Sequence, residues 1–252
     1  MDFLTSVLIP PDLSLATVLL LIASSFLTAG ITTAVGIGGG LAMLAIMANV
    51  IPVAAIVPVH GVVQTTNNSS RAFLLRKDFC AGIFLWFSLG GLLGTVLASQ
   101  MVVALPLNLL QLIMGSFILY SIWAPKLKNF SQGKGSLFAG GIIASATSLF
   151  IGASGPITMA FLPRSKLTRQ QLVSTHAAIM VLQHGAKILA FGMLGFVYRP
   201  WAGLLIAMLV AGFLGALSGR AVLWRIPEEK FRRVFNIVLT LLALRLLYQA
   251  IA

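Results

Sequence analysis

Long apolar stretches follow one another along almost the whole chain and constrain its fold more than any other feature. A helix needs about 20 residues to cross about 30 Å of hydrocarbon. Stretches of this length lie at residues 13–35, 52–75, 79–99, 106–123, 170–191, 200–219 and 231–251, and residues 136–151 form a slightly shorter one. Only 9% of the residues are charged, whereas soluble domains are about a quarter charged. The sequence therefore predicts an all-α, polytopic helical membrane protein.

Two glycine clusters interrupt this pattern, and each precedes an apolar segment too short to span a bilayer. The first glycine tip, residues 36–40, leads into residues 40–50. The second glycine tip, residues 152–156, leads into residues 157–163. Such a break predicts a re-entrant or discontinuous helix pair, which is tolerated at membrane depth only inside protein or beside a watery cavity.

The basic residues indicate an orientation. If each glycine tip enters and returns on one side, most of the 17 Lys and Arg residues share one face, while the loop near Val197 carries Arg199. This asymmetry predicts that the basic loops lie in the cytoplasm and both termini outside. The net charge of +12 is explained by these loops, so we expect no nucleic-acid partner. No basic residue precedes the first apolar run, so we predict no cleavable signal peptide.

The two halves of the chain resemble each other. A shift of 116 positions pairs Gly36 with Gly152, Gly39 with Gly155, His60 with His176, Asn67 with Gln183, Asn68 with His184 and Arg71 with Lys187. A shift of 121 positions pairs Gly91 with Gly212, Gly94 with Gly215 and Pro106 with Pro227. Each half holds five segments, and an odd number predicts that the second copy is inverted. We predict two inverted-topology repeats, residues 1–125 and 136–252, joined by a cytoplasmic linker at residues 126–135.

Polar residues follow each glycine tip at helical spacing. The first stripe contains His60, Gln64, Asn67, Asn68 and Arg71, and the second contains His176, Gln183, His184 and Lys187. Polar side chains that face lipid are costly, so each stripe should face protein or water. One buried polar residue would more often be a helix–helix hydrogen bond, but two matched stripes that each end in a cation favour a permeation path.

The glycine tips provide a second binding element. The first N–H groups of a helix have no helical partner and favour anions, and glycine lets a ligand approach the backbone. The alternative is close helix packing through small residues, which we expect for Gly90, Gly91, Gly94 and Gly212.

The charges in the apolar spans have one sign. The acidic residues are Asp2, Asp12, Asp78, Glu228 and Glu229, and none lies in the middle of a span. A path without acids, lined by amides, hydroxyls, helix ends and a few cations, selects anions. An enzyme would need a carboxylate pair or a metal cluster in the membrane, so we predict no catalytic residue. Cys80 is the only cysteine, and we expect no disulfide, metal site or cofactor.

The predicted substrate-binding residues come from both tips and both stripes. They are Gly36, Gly38, Gly39, Gly40, His60, Gln64, Asn67, Asn68, Arg71, Gly152, Ser154, Gly155, His176, Gln183, His184 and Lys187. We expect one small anion to lie between the two tips near the membrane midplane.

At these residues the chain resembles the TauE/SafE sulfite exporter family, the TSUP permeases. The resemblance runs from Ala29 to Tyr248 and rests on the first glycine tip, Pro52, His60, Asn68 and Arg71, and on the weaker second copy. It implies transport of sulfite, sulfoacetate or other organosulfonates across a bacterial inner membrane, surrounded by lipid. We expect alternating access and export. An anion channel with the same lining and a proton-coupled uptake permease, with a histidine as proton carrier, are the alternatives. The sequence does not indicate an oligomeric state.

Overall fold

The computed structural model describes residues 9–10, 13–35, 38–102, 106–124, 130, 133–222 and 228–251. In these residues the chain forms α-helices and short 3-10 segments, with no strand. The helices are α1 (Leu15–Val35), α2 (Gly39–Val50), α3 (Val53–Leu74), α4 (Ala81–Val102), α5 (Leu107–Trp123), α6 (Lys134–Ile151), α7 (Gly155–Phe161), α8 (Arg169–Met193), α9 (Ala202–Val222) and α10 (Glu228–Ile251). The prediction of an all-α helical membrane protein is confirmed.

Five of the described helices are long and apolar enough to cross a membrane, namely α1, α4, α6, α9 and α10. The stretch at 136–151 was expected to be slightly short, but α6 begins earlier, at Lys134, and reaches 18 residues. The stretch at 106–123 yields only the 17 residues of α5. Helices α3 and α8 have 22 and 25 residues, and their polar stripes lower their hydropathy.

The helix boundaries follow the two shifts of the sequence repeat. Helices α2 and α7 begin 116 positions apart, as do α3 and α8. The ends of α1 and α6 are also 116 positions apart. Helices α4 and α9 begin 121 positions apart, as do α5 and α10. Each half therefore contains the same order of five helices.

The chain divides into two compact units that each contain helices from both halves. Unit 1 comprises Met1–Val63, Pro106–Ala124 and Phe196–Ala252. Unit 2 comprises Gln64–Leu105 and Pro125–Gly195. Helix α3 contributes its first half to unit 1 and its second half to unit 2. The predicted repeats at residues 1–125 and 136–252, and their inversion, stay predictions.

Glycine allows the main helix contact of each unit. In unit 2, Cβ atoms on Gly90 and Gly94 of α4 would overlap the backbone of α6, and one on Gly91 would crowd Ser145. In unit 1, a Cβ atom on Gly215 of α9 would overlap the backbone of α1. Small residues let membrane helices approach closely. The packing role expected for Gly90, Gly91 and Gly94 is confirmed.

Candidate functional site

The first glycine tip lies in unit 1, and α2 begins within it. Gly38 precedes the helix with φ of 109°, a backbone conformation that favours glycine. A Cβ atom on Gly38 would lie 3.2 Å from Cζ of Phe235, so an aromatic ring of α10 lies beside this helix start. Gly36, a predicted ligand residue, lies outside the described residues.

Helix packing explains Gly39. A Cβ atom there would overlap the carbonyl oxygen of Thr28 and Oγ1 of Thr32. Gly39 therefore lets α2 approach α1 within unit 1. Close helix packing, the alternative interpretation of the tip glycines, explains why glycine is needed at position 39 without a ligand.

His60 is attached to the same tip. Its Nε2 atom lies 2.9 Å from the carbonyl oxygen of Gly40. A carbonyl oxygen only accepts hydrogen bonds, so Nε2 carries the hydrogen and donates it. His60 is buried, and this bond connects α3 to the start of α2.

The second glycine tip lies in unit 2 and holds a buried lysine. Helix α6 ends at Ile151, and Gly152 follows with φ of 92°. Nζ of Lys187 donates to the carbonyl oxygen of Gly152 at 2.7 Å and lies 3.1 Å from Nδ1 of His184. Lys187 is 0% exposed and His184 is 2% exposed. The cation thus meets the negative end of α6, where a positive charge is favourable.

Ser154, in the same tip, orients Gln183 of α8. Oγ of Ser154 donates to Oε1 of Gln183 at 2.9 Å, and both side chains are buried. Nε2 of Gln183 is also buried and has no hydrogen-bond partner in the described part of the chain. Since α7 has only seven residues, side chains rather than the helix end provide the donors of this tip.

His176 lies beside Gly155. The imidazole ring interacts with the backbone of Gly155, and its Nε2 atom is buried with no hydrogen-bond partner within 3.5 Å among the described residues. A Cβ atom on Gly155 would lie 3.9 Å from this Nε2 and would meet no other atom of the described residues within 4 Å. Gly155 therefore keeps open space next to a polar ring atom. Oγ1 of Thr158 and Oγ of Ser174, on α7 and α8, are likewise buried without a partner in the described chain.

The polar stripe of α3 continues into unit 2. Gln64 and Asn68 are buried and Asn67 is half-buried. Nδ2 of Asn68 donates to the carbonyl oxygen of Gln64 at 2.8 Å, and the Arg71 guanidinium donates to Oδ1 of Asn68 at 2.6 Å. The positive charge of Arg71 is close enough to His176 for an electrostatic interaction. The second half of the first stripe thus belongs to the unit that contains the second tip.

The structure therefore distributes the predicted residues unequally. Unit 1 contains Gly38, Gly39, Gly40 and His60, and unit 2 contains Gln64, Asn67, Asn68, Arg71, Gly152, Ser154, Gly155, His176, Gln183, His184 and Lys187. Phe235 and Thr158 were not predicted. No sequence signal distinguishes an aromatic residue or a threonine in an apolar span. No metal-binding group of His, Cys, Asp or Glu occurs in the part of the chain that the structure describes.

Comparison with known proteins gives a direct match. The model of the sulfite exporter TauE/SafE family matches residues 3–246, nearly the whole chain. The chain belongs to this family. TauE/SafE proteins are membrane transporters and not enzymes, so this TauE/SafE protein is a multi-pass membrane transporter. No match was found among curated proteins or among solved structures.

Proposed function

We propose that this TauE/SafE protein exports small sulfur-containing oxyanions, such as sulfite, sulfoacetate or other organosulfonates, by alternating access. The observation that carries the proposal is the pair of buried nitrogen atoms in unit 2, one on Gln183 and one on His176, that have no hydrogen-bond partner among the described residues. Nε2 of Gln183 is a donor with a fixed orientation, and Nε2 of His176 lies beside the open space at Gly155. Leaving a buried donor unsatisfied costs about 1–3 kcal/mol. An oxyanion offers several acceptor oxygens and completes such groups.

The sign of the charges supports an anion. Within unit 2, the basic side chains of the two polar stripes are Arg71 and Lys187. The acidic side chain of this unit is Asp78, in the 3-10 segment Arg76–Asp78 between α3 and α4. A cation substrate would require a carboxylate on the stripes, whereas amides, hydroxyls and cations select anions.

Energetics favour export. The interior of a bacterial cell is negative, and an anion that leaves gains about 2.3 kcal/mol per charge per 100 mV. Export down this gradient needs no coupling ion, while uptake does. The same order of five helices in both halves supports alternating access, because repeated halves that exchange conformations exchange the side that is open.

Introducing a negative charge at position 183 provides a direct test. Purified protein is placed in liposomes loaded with radiolabelled sulfite, and efflux is measured against protein-free liposomes. Gln183→Glu keeps the shape of the side chain but replaces the N–H donors by an oxygen that repels an anion. We expect kcat/KM to fall at least about tenfold, a loss of about 1.4 kcal/mol or more of transition-state stabilisation. Gln170→Glu makes the same change at an exposed position of α8 and should leave efflux unchanged.

Two results would contradict the proposal. One is sulfite efflux from wild-type proteoliposomes no faster than from protein-free liposomes, for sulfite and for each sulfonate tried. The other is equal activity of Gln183→Glu and Gln170→Glu.

A carrier also requires that the flux saturates with anion concentration and that anion on the far side stimulates it. Flux that rises linearly with concentration without such stimulation would indicate a channel instead. Competition by thiosulfate, taurine, sulfoacetate and aromatic sulfonates then ranks the substrates.

A further inference from the structure

Lys187 is a fully buried amine with neutral partners. Its Nζ atom meets a carbonyl oxygen, that of Gly152, and an imidazole nitrogen, Nδ1 of His184. An ammonium group has three N–H donors, and two partners are present in the described chain. A buried ion without a counter-ion costs several kcal/mol. The charged form of Lys187 is therefore incomplete until an anion arrives.

The helices around α8 supply no counter-ion for Lys187. Helices α4 and α7 contain no charged residue, and α6 contains only Lys134, at its opposite end. The 3-10 segment at residues 76–78 contacts α8, and the backbone N–H of Cys80, two residues after this segment, donates to Oγ1 of Thr175. Thr175 is 12 positions before Lys187, about 18 Å along a helix.

The remaining titratable groups on α8 or known to contact it are Arg169, at the first position of α8, Cys80, which bonds Thr175, and His176, His184 and Arg71. His176, on which the charge of Arg71 acts, is 11 positions from Lys187, about 16 Å along α8. His184 alone is in direct contact with Lys187. The amine and this imidazole therefore form a pair, and the charge of the pair depends on whether a negative solute is near.

We propose that one proton moves with each anion and that Lys187 carries it. The inference rests on the function proposed above. When the anion binds at Nε2 of Gln183, which is four positions and about 6 Å along α8 from Lys187, it supplies the missing counter-charge, and Lys187 takes up a proton. When the anion leaves, the ammonium loses its counter-ion and transfers a proton from Nζ to Nδ1 of His184. The imidazolium then releases the proton of Nε2 to water, and the pair returns to its neutral state.

This coupling changes the charge that crosses the membrane. A monovalent anion with one proton moves without net charge, so the membrane potential does not drive it. A divalent anion with one proton carries one net negative charge and is still driven outward. The transporter would thus favour the divalent form of an oxyanion for export.

Simultaneous measurement of anion and proton movement tests the proposal. Proteoliposomes contain a pH-sensitive dye, valinomycin and potassium clamp the potential, and radiolabelled sulfite is followed with internal pH. Protein-free liposomes give the leak of protonated sulfite through lipid. Methanesulfonate, which stays ionised, is the second anion. For the wild type we expect about one proton per anion above the leak.

Lys187→Arg separates the two movements. A guanidinium keeps its proton at all accessible pH values, so anion-driven proton movement should fall at least about tenfold, and exchange of anion between two loaded sides should fall much less. His184→Gln preserves a polar side chain but removes the proton acceptor, and it should also slow net proton movement more than exchange. Lys166→Met removes an exposed lysine and should leave both unchanged. Size-exclusion profiles verify that each variant is folded.

The outcomes distinguish this inference from the proposed function. No anion flux in the wild type overturns the proposed function itself. Anion flux without protein-dependent proton movement overturns proton coupling and leaves transport intact. Proton movement that is unchanged in both Lys187→Arg and His184→Gln overturns the assignment to this pair. If one of the two variants does not fold, the other decides.

Discussion

A Cβ atom on Gly94 would overlap the carbonyl oxygen of Ile142, so α4 and α6 meet backbone to backbone in unit 2. In unit 1, Gly215 of α9 meets the carbonyl oxygen of Phe26 on α1 in the same way. Gly94 and Gly215 are 121 positions apart, and Phe26 and Ile142 are 116 positions apart. These are the two shifts that relate the halves of the sequence, so the two contacts occupy corresponding positions.

A second pair of contacts is related by the same two shifts. Oγ of Ser25 on α1 donates to the carbonyl oxygen of Met208 on α9 at 2.7 Å. The equivalent positions are Gly141 on α6 and Phe87 on α4, and a Cβ atom on Gly141 would overlap the carbonyl oxygen of Phe87. In both units the fourth helix of one half therefore packs against the first helix of the other half.

Gly94→Ala should destabilise the protein, because the added methyl group has no space. The helices would have to separate, and overpacking of this kind typically costs about 1–3 kcal/mol. We expect a lower thermal unfolding midpoint for the purified protein in detergent. Gly82→Ala changes a glycine of the same helix with no atom within 4 Å of the new Cβ and should leave the midpoint unchanged. Equal midpoints for the two variants would contradict the contact.

Gly155→Ala should impair transport and leave stability intact. Its Cβ would make only an ordinary contact, 3.9 Å from Nε2 of His176, but it would occupy the space proposed for the anion. We expect KM for sulfite to rise about tenfold with an unchanged unfolding midpoint. Gly39→Ala, at the equivalent position of the first tip, should show the opposite pattern, with low yield and a lower midpoint, because Thr28 and Thr32 fill its surroundings. Loss of stability in Gly155→Ala would contradict the open space.

Ser154→Ala should weaken anion binding by releasing Gln183. Without the 2.9 Å hydrogen bond from Ser154, the amide is free to rotate, and its donors no longer have a fixed direction. A hydrogen bond of this kind contributes about 1 kcal/mol. We expect KM to rise several-fold with a small change in kcat, and Ser154→Thr, which retains the hydroxyl, to retain most of the affinity. Equal KM values for Ser154→Ala and the wild type would show that Gln183 is oriented by other contacts.

The helices were predictable because lipid leaves few options for a backbone. Apolar length and glycine breaks located all ten described helices, and the two shifts between the halves also relate the helix boundaries. The helix expected at 106–123 ends at Trp123 as predicted and begins one residue later, because Pro106 is the cap that precedes its first residue. The sequence-based expectation that one anion contacts both tips stays a prediction.

The site was less predictable, because sequence spacing does not show which groups satisfy one another. The stripes correctly indicated that Gln183, His184 and Lys187 are buried. Spacing could not show that Lys187 donates to Gly152 or that Ser154 holds Gln183. The glycines of the tips also have different roles, and only packing distances separate Gly39 from Gly155.

His60 should act by a hydrogen bond and not by titration. Nε2 of His60 donates to the carbonyl oxygen of Gly40 at 2.9 Å, and the Nε2 of a glutamine reaches a similar position. We expect His60→Gln to keep sulfite efflux within about threefold of wild type, since each hydrogen bond contributes only about 1 kcal/mol. His60→Leu removes the donor from a buried carbonyl and should lose most of the efflux. A loss in His60→Gln as large as in His60→Leu would indicate that the proton of the imidazole matters.

The predicted orientation can be tested with single cysteines, because Cys80 is the only natural one. In a Cys80→Ser background, Ser165→Cys places a thiol in the exposed basic segment at residues 164–166, and Val197→Cys places one in the exposed loop after α8. Loops rich in Lys and Arg stay in the cytoplasm during insertion. In spheroplasts, a membrane-impermeant maleimide should therefore label Val197→Cys at once and Ser165→Cys only after the membrane is opened. Immediate labelling of Ser165→Cys together with protection of Val197→Cys would reverse the orientation, and with it the side from which the anion enters.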